Sequence, residues 1–244
     1  MITLRKLETL AERTRARKLM TLLAAAHDPS FTAGLVRLSW QILGQTPFDQ
    51  SPILNERERS ALRQRLALWL GVQVADWDFQ TPHDRTGPVI QFPFHVWLDD
   101  VRSPFNVGSI IRTAEAYGFA GVFHSPLTPG LGHSRTQRSA MGAEQHLPVQ
   151  TLSLDDLQSF WGQRPVLALE LGGTAVESFD FPKEGLVLLG GEELGLSPEA
   201  LQWADQSLGR VSLPLYGRKA SLNVGVAFGV LAATWTDHVL NRQL

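Results

Sequence analysis

From residue 95 onward, short apolar runs alternate with stretches of helical spacing. Two such runs, HVWLDD (95–100) and GVFHS (121–125), are short enough to be strands. Further predicted strands are PVLALEL (165–171), GLVLLGG (185–191) and VSLPL (211–215). The predicted helices between and after them include 106–117, 198–204 and 221–240. Strands that alternate with helices predict a parallel sheet covered on both faces.

The first 80 residues show helical spacing instead. Residues 5–26 place leucines at helical intervals and predict one helix. The segment Asp28-Pro29-Ser30 ends it, and Ser30 is a candidate cap for a second helix that runs through Leu43. A third helix is predicted to start at Asn55.

A polar segment with proline and glycine, 78–88, is the candidate linker. We therefore expect a helical N-terminal extension over 1–85 and an α/β domain over 90–244. No apolar run reaches the roughly 18–20 residues that span a bilayer. Arg5 and Lys6 are not followed by an apolar signal core. These features predict a cytoplasmic protein that does not enter membranes.

Charge and cysteine content narrow the partners only slightly. The net charge is −2, and the chain has no cysteine, which excludes disulfides and thiolate metal sites. We predict no bound metal. Residues 1–90 carry 12 Lys and Arg against 9 Asp and Glu, whereas residues 91–244 carry 10 against 15. Local basic patches bind phosphate even on acidic proteins, but this charge alone fits ordinary solvated surface.

Three polar segments lie where predicted strands give way to helices. In the first, NVGSIIRTAEAYGF (106–119), Asn106 is a candidate helix cap and Arg112 lies six residues further along the helix. Ligands usually bind at the carboxyl edge of a parallel sheet, where this segment is expected to lie. Taken alone, a capping asparagine and a solvated arginine explain the segment equally well.

The second segment, LLGGEELGLS (188–197), places two glycines at the end of a buried strand. Glycine at such a place lets backbone approach a ligand closely. Glu192 and Glu193 follow, and Ser197-Pro198 is predicted to start the next helix. A tight turn with solvated acids is the alternative interpretation.

The third segment, SLNVGVAFG (221–229), opens the last helix after a basic loop, Gly217-Arg218-Lys219. Ser221 is a candidate cap, and Asn223 is expected in the first turn. Glycine inside a helix costs about 1 kcal/mol relative to alanine, so the glycines of this segment predict that another backbone passes close by. A small-residue packing helix is the alternative.

In order and spacing, the three segments resemble the signature motifs of the SpoU (TrmH-like) family of RNA ribose methyltransferases, in the SPOUT superfamily. The resemblance covers about 92–240, and SAMGAEQHLPV (139–149) is similar to a further family segment. It implies a six-stranded parallel sheet whose C-terminal part threads into a deep trefoil knot. It also implies a homodimer, S-adenosylmethionine as cofactor, and ribosomal or transfer RNA as substrate.

Carried over residue by residue, the resemblance implies two sets of side chains. The polar, catalytic set is Asn106, Arg112, Glu192, Ser221 and Asn223. The cofactor-binding set is Gly190, Leu213, Leu222 and Leu169.

The implied reaction moves a methyl group to a ribose 2′-hydroxyl. Because a guanidinium stays protonated in proteins, we expect Arg112 to hold an RNA phosphate and lower the pKa of the hydroxyl rather than to act as a base. The proton can then leave to the phosphate, to a water or to a carboxylate. Glu192 is the candidate carboxylate, either as the acceptor or as the group that orients Arg112.

Many relatives carry a mixed α/β RNA-binding domain where this chain is predicted to be helical. Basic residues cluster on the first and third predicted helices: Arg13, Arg15, Arg17, Lys18, Arg57, Arg59, Arg63 and Arg65. A helical RNA-recognition extension and a structural or dimer-supporting bundle both remain open.

Three other functions fit less well. A Rossmann-type enzyme would need a G-x-G-x-x-G segment early in the chain, and LELGGT (169–174) lacks that spacing. A non-catalytic RNA-binding module on the same fold would be expected to lack the polar set, which is complete here. A base-methylating relative is disfavoured by the first segment.

Overall fold

The computed structural model describes residues 2–44, 55–72 and 87–241. The chain divides into two compact units, Met1–Thr81 and Pro82–Leu244. Of the predicted linker at 78–88, only Gly87 and Pro88 belong to the described residues. Within the three described ranges, every helix is too short or too polar to cross a membrane.

The described part of the first unit is a group of helices around a leucine core. These helices are α1 (Leu4–Glu8), α2 (Glu12–Ala25), α3 (Pro29–Leu43) and α4 (Glu56–Leu70). Each contributes a fully buried leucine: Leu7, Leu19, Leu35 and Leu66. A Cβ at Gly34 would overlap the Leu4 side chain, so the absence of a side chain there lets α1 lie against α3.

The single helix predicted over 5–26 is wrong, because the chain breaks between Glu8 and Glu12. Arg15 Nη2 donates to the carbonyls of Glu8 at 2.8 Å and Leu10 at 2.9 Å, so the break leaves these carbonyls with a partner.

The caps of α3 and α4 follow local chemistry. Asp28, not Ser30, caps α3, since its Oδ2 accepts from the Phe31 amide at 2.6 Å. The prediction that the next helix starts at Asn55 is confirmed, because Asn55 and Glu58 form a reciprocal capping box at the start of α4.

The second unit is an α/β domain built on one sheet. Its strands are β1 (Phe94–Asp99), β2 (Gly121–His124), β3 (Val149–Thr151), β4 (Val166–Ala175), β5 (Gly185–Gly190) and β6 (Arg210–Ser212). Its helices are α5 (Pro104–Ala116), α6 (Ser134–Ala140), α7 (Leu154–Trp161), α8 (Pro198–Asp205) and α9 (Val224–Asn241), with a 3₁₀ turn at Ala143–Gln145.

All strand pairs are parallel and run in the order β3-β2-β1-β5-β4-β6, which confirms the predicted six-stranded parallel sheet. The last strand ends at Ser212, earlier than the predicted 215. Pro214 lies just beyond this end and has no amide hydrogen to continue the ladder.

Side chains of β1 alternate between two cores. Phe94, Val96 and Leu98 join the core that includes α5 and α9 residues, whereas Trp97 joins the core that includes α7 and α8 residues. Both faces of the sheet are therefore covered, as the run of apolar strands predicts.

A close helix contact fixes α5. A Cβ at Gly108 would overlap Ser139 Oγ and the Thr136 carbonyl of α6. Ser139 Oγ also donates to the Pro104 carbonyl at 3.2 Å. The glycine of the first polar segment and the serine of SAMG thus set the position of the helix that carries Asn106 and Arg112.

Candidate active site

The start of α5 differs from the sequence expectation. Ser103, not Asn106, caps this helix, because Ser103 Oγ accepts from the Asn106 amide at 3.4 Å and Pro104 occupies the first turn. The Asn106 side chain lies one turn in and is 4% exposed. Its carboxamide is therefore available to partners other than its own helix.

Hydrogen bonds join Asn106 to both of the other polar segments. Its Nδ2 donates to Glu192 Oε1 at 2.6 Å, and its Oδ1 accepts from Asn223 Nδ2 at 3.0 Å. Since an ionised carboxylate only accepts, Asn106 must turn its amino group toward Glu192 and its oxygen toward Asn223. We call this series Glu192–Asn106–Asn223 the polar chain.

Glu192 has several donors around it. Besides Asn106, its carboxylate accepts from the amide nitrogens of Arg102 at 3.1 Å and Ser103 at 3.3 Å. Burial raises the pKa of Glu192. The hydrogen bonds that its carboxylate accepts from Asn106 and from backbone amides lower the pKa by more, so the net pKa is below the usual 4.5. The partners differ from the expected Arg112, and a carboxylate held in this way is a poor proton acceptor.

Asn223, not the predicted Ser221, caps α9. Asn223 Oδ1 accepts from the amides of Gly225 at 3.0 Å and Val226 at 3.3 Å. The helix begins at Val224, so Ser221 lies too far upstream to reach the first free amides. Ser221 is exposed, and its hydroxyl has no hydrogen-bond partner among the described residues.

The close backbone approach predicted at Gly225 and Gly229 is wrong. The nearest atom to a Cβ at Gly225 would be Asn223 Oδ1 at 3.3 Å, and at Gly229 the Thr113 methyl at 3.9 Å. Backbone does press on the second segment, where a Cβ at Gly190 would overlap Gly195 and one at Gly191 would lie 2.7 Å from the Asp100 carbonyl oxygen.

A cavity of about 140 Å³ lies next to the polar chain, at the carboxyl ends of β5 and β6 and beside the middle of β4. All four predicted cofactor-binding residues line it, and so does Ser221. The lining is Leu169, Glu170, Leu171, Leu189, Gly190, Gly195, Leu213, Leu215, Ser221, Leu222, Val224 and Ala227. The cavity and the polar chain share two stretches of backbone, since Gly190 precedes Glu192 by two residues and Leu222 precedes Asn223 by one.

The cavity combines apolar walls with free backbone groups. Leu213, Leu215 and Leu222 make no backbone hydrogen bond within the part of the chain that the structure describes. Glu170 is the ionisable residue of the lining. This arrangement suits a flat apolar ring whose edge carries donors and acceptors, together with a positive group near the carboxylate.

Arg112 stands apart from these contacts. It lies on α5 and is exposed, and its guanidinium has no hydrogen bond or ion pair among the described residues. Its five N–H donors are therefore available to an external anion.

Two further contacts of the second segment were not predicted from the sequence. Buried Asp99 accepts from the Ser197 amide at 2.7 Å through Oδ2, which anchors the turn after β5. Glu193 pairs with Arg102 at 2.9 Å, but both side chains are largely exposed, so this pair adds little stability. The only signal in the sequence was the position of the acids at strand ends.

Known proteins resemble a large part of this chain. An uncharacterized tRNA/rRNA methyltransferase of Mycobacterium ulcerans is 31% identical over 186 residues, which cover 74% of this chain and 58% of that protein. The 23S rRNA (guanosine(2553)-2′-O)-methyltransferase RlmP of Bacillus subtilis is 31% identical over 140 residues, 55% of this chain and 54% of that protein. The chain thus spans less than two thirds of the length of these relatives.

A solved structure gives the same likeness. The SpoU methyltransferase AviRb of Streptomyces viridochromogenes, in complex with the cofactor AdoMet, superposes with a TM-score of 0.56 at 27% identity. The match covers 63% of this chain and 60% of that one. The pattern of the SpoU rRNA Methylase family matches residues 93–233, more than half of the chain, and contains all three polar segments. This chain therefore belongs to the SpoU rRNA Methylase family.

Proposed function

We propose that this protein transfers a methyl group from S-adenosylmethionine to a ribose 2′-hydroxyl of structured RNA, either ribosomal or transfer RNA. The observation that carries the proposal is the polar chain, which joins three distant segments beside a leucine-lined cavity. The name of the Bacillus subtilis relative supports the ribose 2′-O position, and the AdoMet complex of AviRb supports the cofactor.

The cavity fits the cofactor by its chemistry. Leucine side chains would enclose the adenine, and the free backbone groups of Leu213, Leu215 and Leu222 would bind its edge. Glu170 would attract the positive end of the molecule. S-adenosylmethionine supplies a methyl group already activated by its sulfonium charge, so the chain has to bind and align the reactants.

The polar chain acts as a positioning device. Glu192 follows β5, and Asn223 caps α9, so Asn106 ties together two walls of the cavity. Because each hydrogen bond has a fixed direction, the two walls are held in one relative position. Asn106, Glu192 and Asn223 are thus positioning residues in this proposal.

Arg112 is the candidate contact to RNA. Its unoccupied guanidinium binds a phosphate and stabilises negative charge on the 2′-oxygen as the proton leaves. With Glu192 occupied by its own donors, the proton passes to the RNA phosphate or to water. The exposed hydroxyl of Ser221, at the cavity wall, would bind the ribose.

A homodimer is the second part of the proposal. On α9, Val226 and Val230 lie one turn apart and are 56% and 45% exposed, which forms an apolar stripe suited to a second copy of the chain. Sedimentation of the wild-type protein should show a dimer that Val230→Glu dissociates. A wild-type monomer at micromolar concentration would contradict it.

The trefoil knot and the cytoplasmic location remain predictions. A knot would shorten the fully stretched chain, so single-molecule extension should give a contour length below that of an unknotted chain of 244 residues. Fractionation of the cells that make the protein would test its location.

The test of the function uses RNA from a strain that lacks the gene. Wild-type protein and labelled S-adenosylmethionine should yield 2′-O-methylated nucleosides after complete digestion of the RNA. Arg112→Ala should abolish transfer and leave cofactor binding intact. Methylation of a base, or unchanged transfer by Arg112→Ala, would overturn the assignment, and RNA binding without transfer would favour the non-catalytic alternative.

A further inference from the structure

A second cavity, of about 410 Å³, opens at the carboxyl ends of β2 and β3. Its polar lining includes His124, Thr128 and Thr151, the first and last of which end their strands. None of its residues lines the leucine-rich cavity or belongs to the polar chain.

The hydrogen bonds of His124 determine what this cavity can recognise. Its Nδ1 lies 2.9 Å from the Ser125 carbonyl oxygen, which can only accept, so the proton is on Nδ1. In the neutral ring, Nε2 then accepts the hydroxyl proton of Thr151, 3.2 Å away. The lone pairs of the Thr151 oxygen remain available and call for an N–H donor on the ligand.

Apolar groups complete the cavity. Pro126 and Leu131 from the loop after β2, and Val149 from β3, supply walls that a flat ring can lie against. His124 also fits closely beneath this loop, because a Cβ at Gly130 would lie 2.6 Å from its Nε2. The cavity thus combines apolar walls with a hydroxyl acceptor, the chemistry that a planar heterocycle with N–H groups requires.

Side-chain contacts connect the cavity to the candidate active site. Thr128 Oγ1 lies 3.0 Å from Ser125 Oγ, which donates to Asp100 Oδ1 at 2.6 Å. The Asp100 carbonyl in turn lies against Gly191, next to Glu192. Both sites therefore open at the same edge of the sheet.

A free cation also lies near the cavity. Arg135 is in the first turn of α6, directly after the cavity loop, and is exposed. Its guanidinium has no hydrogen bond or ion pair among the residues that the structure describes. It follows Gly132 of the lining by three residues, and a free guanidinium suits a phosphate.

We propose that this cavity binds an unstacked nucleobase of the RNA substrate, an inference that rests on the proposed function. Sequence-specific recognition of RNA mostly targets unstacked bases, which lie against aromatic or apolar side chains and form hydrogen bonds along their edges. Here the walls hold the ring, Thr151 accepts from its edge, and Arg135 holds the neighbouring phosphate.

Filling the cavity tests the proposal. A Cβ at Gly132 meets nothing within 4 Å, so Gly132→Trp can occupy the cavity without a steric clash at the backbone. Leu127→Trp is the matched control, since Leu127 is in the same loop, 77% exposed, and outside the lining. With RNA from the gene-deleted strain, Gly132→Trp should raise KM for RNA at least tenfold, whereas Leu127→Trp should match the wild type.

Hydroxyl removal gives a subtler variant. Thr151→Val should raise KM several-fold with little change in kcat, and Thr151→Ser should restore most of the loss. In all four variants the affinity for S-adenosylmethionine should stay at the wild-type value. Unchanged KM in both Gly132→Trp and Thr151→Val would overturn the proposal.

A binding measurement separates this site from the proposed function. Adenosine, guanosine, cytidine and uridine titrated into ¹⁵N-labelled protein should shift the amide signals of Gly130, Gly132 and Thr151 for at least one nucleoside, and Gly132→Trp should abolish the shift. If that shift occurs while the wild type methylates no RNA, the proposed reaction fails and the base site stands. If transfer occurs and no nucleoside moves these signals, the base site fails.

Discussion

The clustered arginines of the first unit and Arg112 of the second unit differ in whether their guanidinium groups are already occupied. In the first unit, four of the eight clustered basic residues donate to main-chain carbonyls: Arg13 to Leu70, Arg15 to Glu8 and Leu10, Arg59 to Ala26, and Arg63 to Met20. In the second unit, Arg112 is exposed and has no such partner among the described residues. The comparison teaches that the number of cations on a surface says less about anion binding than whether each guanidinium is already occupied.

The largest effect on stability is expected from a negative charge placed at Asn106 in the second unit. Asn106→Asp would place a second carboxylate against Glu192 in a buried position and remove its 2.6 Å donor. We expect a loss of about 3–5 kcal/mol in the free energy of unfolding, measured by denaturant titration. Gln202→Glu adds the same charge to an exposed position on α8 and should change it by less than about 0.5 kcal/mol. Equal stability of the two variants would mean that the polar chain is not a structural element.

The next effect is a pH dependence that comes from β1. Burial, and then the charge of Arg164, lower the pKa of His95 to about 4, against an opposing effect of the Pro93 backbone. The unfolded chain therefore binds a proton at this residue below about pH 6.5, while the folded chain does not until about pH 4. Stability should fall by about 2–3 kcal/mol as pH drops from 6.5 to 4.5.

His95→Phe should remove most of this loss of stability between pH 6.5 and 4.5. Denaturant titrations of both proteins at several pH values would measure the difference. Protonation of Glu192 lowers the stability of the folded protein only at still lower pH, because its depressed pKa keeps the folded carboxylate ionised in the range where His95 acts. An identical pH slope in His95→Phe would show that His95 already carries its proton in the folded state.

A pair of arginine substitutions sharpens the comparison between the units directly. Under the proposed function, Arg112→Met should reduce methyl transfer at least about 100-fold, since the proposal makes this guanidinium a donor in the transition state, and it should leave stability unchanged. Arg13→Met should lose about 1–2 kcal/mol of stability, because it removes the partner of the Leu70 carbonyl, and should keep wild-type kcat below its melting temperature. Equal losses of activity in the two variants, or equal losses of stability, would contradict the difference between Arg112 and the first-unit arginines.

The smallest effect is expected from the remaining cations of the first unit. Arg17, Lys18 and Arg57 are exposed and have no side-chain partner among the described residues, whereas Arg65 lies over the Trp40 ring at 5.3 Å. The triple change to Gln should alter the slope of log affinity for RNA against log salt by less than about 1. A loss of about 3 in this slope would instead assign the first unit to RNA recognition.

The sequence predicted the sheet well and the local caps poorly. Continuous apolar runs that alternate with helical stretches indicate a parallel sheet, because each strand of such a sheet is buried on both faces. Caps depend on which of several adjacent polar residues has the right backbone angles, and so Ser103 replaced Asn106, and Asn223 replaced Ser221.

Partner choice was equally hidden from the sequence. The acid at Glu192 could be placed at a sheet edge, but nothing near it indicates that an asparagine far upstream would occupy it. Likewise, the positions of Arg13 and Arg59 in the sequence do not indicate that their guanidinium groups donate to main-chain carbonyls. Such contacts depend on how whole elements dock, which local spacing does not encode.

The polar chain also has a consequence for synthesis. Its two side-chain hydrogen bonds join residues 86 and 117 positions apart, and its last member directly precedes the last helix. Chains emerge from the ribosome N-terminal end first, so β1 and α5 exist long before Asn223 is made. A nascent or stalled chain can therefore pair its first strands without a finished site, and competence arrives only when translation reaches α9.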